Sequence, residues 1–169
     1  MLIVLVGPSY SGKSTLRKYY EWYYENFDLP LTIVCPDDIR EELLGDAGDQ
    51  SNGKMIFETA YERVDKALES LLNTVIFDAT SLTPARRKPL IEIAKKHNRT
   101  CFAVVMPDFT EEELTARVEN RERKVPLDVV RAQKQRMVYP TVEEGFDYIM
   151  KIPKSSLDIM KEFLDSDLQ

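Results

Sequence analysis

The sequence predicts an α/β fold in which helices flank a parallel β-sheet. Short β-rich runs alternate along the chain with longer segments of helical spacing, which is the pattern of parallel α/β sheets. The short runs are almost continuously apolar, as expected of strands that are covered on both faces. A chain of 169 residues has the size of one domain, and no repeat, low-complexity tract or linker divides it. We therefore expect a single domain over residues 1–169.

Five strands and seven helices are predicted in an order that fits this fold. The predicted strands cover Leu2–Val6, Leu31–Cys35, Val75–Phe77, Cys101–Met106 and Tyr148–Ile152. The predicted helices cover Lys13–Asn26, Asp38–Leu44, Lys54–Leu72, Pro84–His97, Thr110–Lys124, Pro126–Tyr139 and Ser155–Leu164. Residues 45–53 hold three of the six glycines and are predicted to form a loop, either a plain connection or part of a substrate-binding rim.

The charge of the chain narrows the classes of partner. With 23 Lys and Arg against 29 Asp and Glu, the formal net charge is −6, and the pI is about 5.0. This balance argues against a protein that coats nucleic acid, because such binding depends on many Lys and Arg contacts with phosphates. If nucleic acid is bound, we expect it to be held at an end or at a few nucleotides, in a local basic pocket.

The chain carries no signal for a membrane or for secretion. Its longest apolar runs, Met1–Val6 and Phe102–Met106, are far shorter than the roughly 20 residues that cross a bilayer, and no charged lead-in of a secretory signal is found at Met1. We expect a cytoplasmic chain with no membrane association and no obligate protein partner. Cys35 and Cys101 are too few for a zinc site and are expected to be reduced core residues.

A phosphate-binding motif directly follows the first predicted strand. Residues 7–14 read GPSYSGKS and match the pattern G-x-x-x-x-G-K-[ST] in full. A glycine-rich turn between a strand and a helix points successive N–H groups at one spot, and the positive end of the helix adds to their attraction for anions. The motif predicts a P-loop NTPase-type fold that binds an ATP-like donor and Mg²⁺. The residues expected to bind them are Gly7, Ser9, Ser11, Gly12, Lys13 and Ser14, with Lys13 on the β- and γ-phosphates and the Ser14 hydroxyl on Mg²⁺.

Two adjacent carboxylates follow the second predicted strand. Ligands of open α/β sheets bind beyond the carboxyl ends of the strands, so this turn is expected to face the same crevice as the P-loop. Asp38 and Glu41 read as a capping box for the next helix, which leaves Asp37 free to orient an acceptor hydroxyl and to receive its proton. Arg40, one turn on, could hold an acceptor phosphate. The alternative is a capped surface helix without chemistry.

A further carboxylate, Asp78, ends the third predicted strand. It resembles the acidic position that holds a metal-bound water in P-loop enzymes, so Asp78 is predicted either to serve Mg²⁺ indirectly or to position the acceptor together with Thr80. Three cations, Arg86, Arg87 and Lys88, then open a helix. Cations at a helix N-terminus oppose its macrodipole, which a bound anion would help to explain; a solvated basic turn is the alternative.

Two arginines lie four residues apart on one face of the predicted helix Thr110–Lys124. Arg117 and Arg121 can both reach one anion from this face. Fixed guanidinium groups stabilise the charge of a phosphoryl group in transfer, so a helix that carries them over the P-loop would act as a lid. On spacing alone, an exposed face on which these arginines pair with neighbouring glutamates is an equal alternative.

The order of these segments resembles the kinase module of 5′-hydroxyl polynucleotide kinases, in phage and animals alike. The segments are GPSYSGKST, PDDIR, DATSLTPARR, ARVENRERKVP and PTVEEGFDYIMKIP, and the resemblance runs over about residues 1–153. It implies an ATP- and Mg²⁺-dependent kinase that transfers the γ-phosphate to a 5′-hydroxyl end of DNA or RNA. On the donor side it implies that Lys13 and Ser14 serve ATP and Mg²⁺, that Thr15 contacts phosphate, and that Arg121 is the lid arginine on the donor phosphates, with Arg117 one turn earlier.

On the acceptor side, the resemblance implies that Asp37 is the general base and that Arg40 holds the 3′-phosphate of the acceptor. Asp78 falls on the acidic position after the third strand, and Thr80 and Arg86 are candidate acceptor contacts. The expected catalytic set is thus Asp37, Lys13 and Arg121.

The chain departs from this family in one large way. Phage and animal enzymes usually join the module to a phosphatase with a D-x-D-G-T loop, and that motif does not occur here, so processing of 3′-phosphates is not expected. Related kinases act on hydroxymethylated bases in DNA, on nucleotides or on small metabolites, and the same residues could serve those acceptors. A binding module whose ATP turnover drives partner switching is the alternative from another functional class.

Overall fold

Five strands form one parallel sheet in a computed structural model of the chain, which describes residues 1–119 and 125–167. The strands are β1 (Leu2–Val6), β2 (Leu31–Val34), β3 (Thr74–Phe77), β4 (Cys101–Val105) and β5 (Tyr148–Lys151). They lie in the order β2-β3-β1-β4-β5, and every neighbouring pair is parallel. The predicted α/β fold with a parallel sheet is therefore confirmed, and β1 lies at its centre.

Seven helices and one short 3₁₀ turn connect and cover the strands in the described residues. The helices are α1 (Lys13–Asn26), α2 (Pro36–Leu44), α3 (Gly53–Ala67), α4 (Pro84–Lys96), α5 (Glu111–Glu119), α6 (Leu127–Arg136) and α7 (Lys154–Asp167), and the 3₁₀ turn covers Val142–Glu144. None of these helices is both long and apolar enough to cross a lipid bilayer.

Side chains that alternate along β1 enter two separate hydrophobic clusters. Leu2, Val4 and Val6 pack in a cluster with buried residues of α3 and α4, whereas Ile3 and Leu5 pack in another with residues of α1, α6 and α7. Successive side chains of a strand point to opposite faces, so the two clusters lie on the two faces of the sheet. The central strands are thus covered on both sides, as their apolar runs predict.

Most elements differ from the predicted bounds by one to three residues at an end, and helix α3 differs by more. Strand β2 ends one residue early because Cys35 is the extended N-cap residue of α2. Helix α3 ends at Ala67 instead of Leu72, since Leu71 and Leu72 are exposed and add no buried face to a longer helix. The end of the predicted helix Thr110–Lys124 lies outside the described residues. Both cysteines are free thiols, and Cys101 is buried.

Among the described cations, Arg87 is the most deeply buried and has no solvent exposure. Its Nε and Nη2 donate to the two carboxylate oxygens of Glu144, at 2.8 and 2.6 Å, and its Nη1 donates to the carbonyls of Ser81 and Val138, both at 3.0 Å. The guanidinium therefore joins the loop after β3, the segment after α6 and the 3₁₀ turn. The sequence left two explanations for the cations at this helix start, a bound anion or a solvated basic turn. Neither applies to Arg87, because its counter-charge is the internal carboxylate of Glu144.

Replacing Glu144 by Gln is expected to destabilise the fold by about 3–5 kcal/mol, because Arg87 would keep a buried charge without its counter-charge. In a chain of this size that loss lowers Tm by roughly 10 °C. The measurement is thermal unfolding followed by circular dichroism. The matched control is Glu143→Gln at the exposed neighbouring glutamate, and equal melting temperatures in the two variants would contradict the structural role of the pair.

Candidate active site

A cleft of about 820 Å³ opens at the edge of the sheet where β1, β2 and β3 end. Because β3 lies between β1 and β2, the segments that follow these strands come together at this edge. Seven of the residues singled out in the sequence line the cleft, namely Ser9, Lys13, Asp37, Arg40, Asp78, Thr80 and Arg86. The structure thus gathers candidate donor and acceptor residues in one place.

The P-loop follows β1 and ends where α1 begins at Lys13. Gly12 has a φ of 98°, and a Cβ there would lie 2.5 Å from Leu157 Cδ1, so only glycine fits without rearrangement. The Ser11 hydroxyl donates to the Pro8 carbonyl at 2.8 Å. Lys13 Nζ donates to the carbonyls of Gly7 and Pro8, at 3.0 and 2.6 Å. The lysine ammonium therefore lies over the loop that is predicted to hold the phosphates.

Helix α5, helix α6 and Val125, which precedes α6, each contact the tip of this loop. Ser9 N donates to Gln133 Oε1 at 2.7 Å, Tyr10 donates through its hydroxyl to the carbonyl of Val125 at 3.2 Å, and Arg117 Nη1 donates to Tyr10 O, also at 3.2 Å. Tyr10 has a φ of 63°, the left-handed conformation that a side chain seldom adopts. Arg117 thus lies at the P-loop as the lid hypothesis requires, while Arg121 lies outside the described residues.

The guanidinium of Arg117 is held against an aromatic ring as well as against the loop. Its Cζ lies 3.7 Å from the centroid of the Phe109 ring, an arrangement in which the ring face attracts the cation. This contact fixes the arginine beside Tyr10 and the candidate donor site. The arrangement differs from the alternative of a surface arginine that pairs only with glutamates.

The predicted capping box at the start of α2 is wrong. The N-cap is Cys35, and no side chain caps the helix. Asp38 instead accepts a hydrogen bond from Arg17 Nη1 at 2.9 Å, and Glu41 accepts one from the backbone of Ala47 at 2.8 Å. Both carboxylates are hydrogen-bonded to groups that the local sequence pattern does not reveal.

Asp37 is paired and not free as the capping argument assumed. Its Oδ1 accepts a hydrogen bond from Arg40 Nη1 at 2.6 Å, while about half of its side chain stays exposed. Arg40 is almost fully buried, and its Nε has no hydrogen-bond partner among the described residues. A buried guanidinium thus orients the carboxylate at the cleft, while its own Nε is a buried donor.

Asp78 is a largely buried carboxylate among charges of both signs. Burial raises its pKa above that of an ordinary aspartate, the cations Lys13 and Arg17 act in the opposite direction, and the carboxylates Asp38 and Asp37 add to the increase. Arg17 Nη1 lies 3.7 Å from Asp78 Oδ2. These electrostatic neighbours show that the P-loop lysine and the carboxylates after β2 belong to one site.

The donor set at this point fits Mg²⁺. Mg²⁺ prefers oxygen ligands and in phosphoryl-transfer sites takes one or two from the protein and others from phosphates and water. The Ser14 hydroxyl at the start of α1 and the Asp78 carboxylate are oxygen donors of this kind. No cluster of three or more His, Cys, Asp or Glu side chains that could hold a metal occurs in the described parts of the chain, so any cation here would depend on the phosphates as well.

Another part of the cleft wall carries an aromatic ring close to two arginines. Arg86 Cζ lies 4.2 Å from the centroid of the Phe57 ring, and Arg40 Cζ lies 5.9 Å from it. Gly48 and Gln50 also line the cleft, so the predicted loop 45–53 contributes to the rim, one of the two roles considered for it. Thr80 contributes through its position beside the P-loop, because its carbonyl accepts from Gly7 N at 2.9 Å.

Sequence reasoning missed four residues that line or organise this site. They are Arg17, Phe57, Gln133 and Arg136. Arg17 and Phe57 lie within ordinary helical patterns, and no motif marks the other two. Their roles depend on which helix faces become neighbours, which local spacing does not reveal.

The Cys35 thiol also lies at the cleft. Burial raises its pKa to about 12, and the nearby Asp78 carboxylate adds to the shift. The group stays a protonated thiol at neutral pH. Cys35 is a free cysteine as predicted, but it is partly buried at the cleft and does not lie in the core.

Comparisons with known proteins agree with this fold. Residues 2–140 match the family AAA_33, described as an AAA domain. Kti12 of Chaetomium thermophilum in complex with ADP-AlF3 is 16% identical, with a TM-score of 0.71 over 98% of each chain. The APS kinase CysC of Mycobacterium tuberculosis in complex with AMPPNP and APS is 17% identical, with a TM-score of 0.65 over 97% of this chain and 95% of that chain. A chain of the Pnkp1/Rnl/Hen1 complex is 27% identical, with a TM-score of 0.56 over 69% of this chain and 38% of that chain.

Replacing Asp78 by Asn is expected to stabilise the nucleotide-free protein at neutral pH. Because burial raises the pKa of Asp78, its ionised form is held at a cost that is fully present above the raised pKa and disappears as the pH falls toward the ordinary value of 3.8. At neutral pH, Tm should rise by about 2–4 °C, the effect of about 1 kcal/mol in a chain of this size.

This prediction is checked by thermal unfolding of the nucleotide-free protein between about pH 4 and pH 8, where the gain should shrink toward the acidic end. The control is Asp158→Asn at an exposed position of α7. A Tm at neutral pH equal to or below that of the unmodified protein would show that the Asp78 carboxylate is not destabilised by burial.

Proposed function

The chain belongs to the AAA domain family, and from this membership and the geometry of the cleft we propose that it is an ATP-dependent kinase that transfers the γ-phosphate of ATP to a 5′-hydroxyl end of DNA or RNA. The observation that carries the proposal is the position of Asp37. Its carboxylate lines the same cleft as Lys13 and is oriented by Arg40 at 2.6 Å. A carboxylate fixed beside a phosphate-binding loop is what an acceptor hydroxyl needs in order to attack a γ-phosphate.

In the proposed reaction, Asp37 receives the proton of the acceptor hydroxyl as the acceptor oxygen bonds to the γ-phosphorus. The bond between that phosphorus and the bridging oxygen breaks, and ADP leaves with the bond electrons. Lys13 neutralises charge on the donor phosphates, and Arg117 and Arg121 are proposed to do so from the lid. When bound, Mg²⁺ held with the help of Ser14 and Asp78 would offset the phosphate charge further.

The charges at the acceptor wall support an anionic substrate. Arg40, Arg86 and Arg136 all line the cleft, although the chain as a whole carries a net charge of −6. Arginine binds phosphate as a planar fork, and Arg86 and Arg136 line the cleft with exposed side chains that can bind such a group. Lys13 and these three arginines outnumber the carboxylates Asp37 and Asp78 along the cleft. A local excess of cations favours the capture of a nucleic-acid end over binding along a strand.

The similar structures support kinase chemistry more broadly than they support one acceptor. The APS kinase is named as a kinase and was solved with AMPPNP and APS, and a gluconokinase of Sinorhizobium meliloti is a further neighbour. The likeness to the Pnkp1/Rnl/Hen1 chain agrees with the resemblance seen in the sequence motifs. The same arginines would also hold a small phosphorylated acceptor, so the acceptor class is the point that experiment must decide.

Replacing Asp37 by Asn is expected to lower phosphoryl transfer by about 10²–10⁴-fold, the contribution of a positioned base, while binding of ATP stays intact. The measurement combines transfer from labelled ATP to a 5′-hydroxyl oligonucleotide with nucleotide binding by calorimetry. Asp158→Asn is the matched control and should behave as the unmodified chain does. Transfer that survives Asp37→Asn would refute the assignment of this residue as the base.

Competition between acceptors is expected to favour the oligonucleotide end. Labelled ATP is offered with a 5′-hydroxyl oligonucleotide, a nucleoside 3′-monophosphate, a duplex with hydroxymethylated bases and adenosine phosphosulfate in one mixture, and products are separated by chromatography. Preferred labelling of one of the other three would transfer the proposal to that acceptor class. ATP hydrolysis that no acceptor alters would favour the nucleotide-dependent binding module.

A further inference from the structure

The backbone N–H of Ser9 belongs to the P-loop, but a side chain from α6 accepts its hydrogen bond. Ser9 N lies 2.7 Å from Gln133 Oε1, and both residues line the cleft with Lys13. Gln133 is 124 residues away from Ser9 in the sequence, so the contact exists only because the fold brings α6 to the loop. An N–H of a phosphate-binding loop is directed at a protein amide oxygen.

A carboxamide oxygen resembles a phosphate oxygen as a hydrogen-bond acceptor, although it carries no net charge. A donor phosphate that takes the Ser9 N–H must therefore displace Gln133 from it. Resting on the proposed function, we propose that Gln133 is a positioning residue that occupies this N–H in the nucleotide-free protein and exchanges with a phosphate oxygen when ATP binds. The inference adds to the proposed donor site a side chain of the protein itself, which competes with phosphate for one N–H group.

The surroundings of α6 indicate that the side chain moves and not the helix. Val130 is fully buried in the core and lies one turn from Gln133. Before the helix, Val125 is hydrogen-bonded to Tyr10, and after it Val138 N donates to the carbonyl of Leu82 at 2.9 Å. With α6 anchored on both sides, rotation of the flexible Gln133 side chain is the simplest way to free the Ser9 N–H.

Two substitutions of Gln133 should change nucleotide affinity in opposite directions. Gln133→Ala removes the competitor, so a non-hydrolysable ATP analogue should bind about two- to tenfold more tightly, the equivalent of one ordinary net hydrogen bond. Gln133→Glu keeps the size of the side chain, accepts a stronger charge-assisted bond from Ser9 N–H and repels phosphate. It should weaken binding of the analogue by at least about tenfold.

The test is isothermal titration calorimetry of the full chain with the ATP analogue and Mg²⁺. Gln135, which is exposed on the same helix, supplies the matched controls Gln135→Ala and Gln135→Glu, and both should bind the analogue as the unmodified chain does. Thermal unfolding of all variants reports on folding separately. Alanine is a better helix former than glutamine, so a loss of structure is not expected from the alanine variants.

The outcomes separate this inference from the proposed function. Tighter binding by Gln133→Ala together with weaker binding by Gln133→Glu supports the exchange, because damage to the structure would weaken binding in both. Unchanged or weaker binding by Gln133→Ala in a folded variant overturns it, as does unchanged binding by Gln133→Glu. If the unmodified chain binds no nucleotide, the proposed function fails as well. If the unmodified chain is an active kinase and both Gln133 variants bind the analogue as it does, the proposed function stands and only the exchange is refuted.

Discussion

The parallel pairing of β3 between β1 and β2 is the constraint on which the candidate site depends. All three strands run in the same direction, so their carboxyl ends meet at one edge of the sheet. Backbone bonds from Gly7 N to Thr80 O and from Asp78 N to Val34 O, both 2.9 Å long, extend this alignment into the segments after the strands. The P-loop and the carboxylates thus become neighbours through backbone geometry, before any side chain contributes.

The chain as a whole is acidic, but the carboxylates of the described site lie beside cations. Asp37 is paired with Arg40 and Asp38 with Arg17, so the carboxylates at the end of β2 are held by arginines on two different helices. Asp78 is largely buried, with Lys13 and Arg17 as its nearby cations. These cations offset carboxylate charge beside a phosphate-binding loop, where unpaired negative charge would repel the donor.

The parts of the fold that follow from local sequence were predictable, and those that depend on helix packing were not. The strand positions and the P-loop follow from apolar runs and from a motif whose chemistry is contained in eight consecutive residues. The capping box failed because the partner of Asp38 is Arg17, on another helix. Gln133 lies in a polar helical segment without a motif, so only the packing of α6 against the loop reveals its contact with Ser9. Of the two lid arginines expected from the sequence, Arg117 lies at the P-loop, and Arg121 lies outside the described residues.

Arg86 and Arg87 illustrate how little separates a ligand-facing side chain from an internal one. Adjacent residues of a helix point about 100° apart, so Arg86 reaches the cleft over Phe57 while Arg87 is sealed against Glu144. The wall of the cleft that is proposed to hold the acceptor is thus anchored by an ion pair that is almost fully shielded from solvent. Substitutions of Arg87 or Glu144 would therefore lower activity in an enzymatic screen without changing a residue that lines the cleft. Room for larger acceptors would have to come from changes in residues 45–53 at the rim, which this ion pair does not restrain.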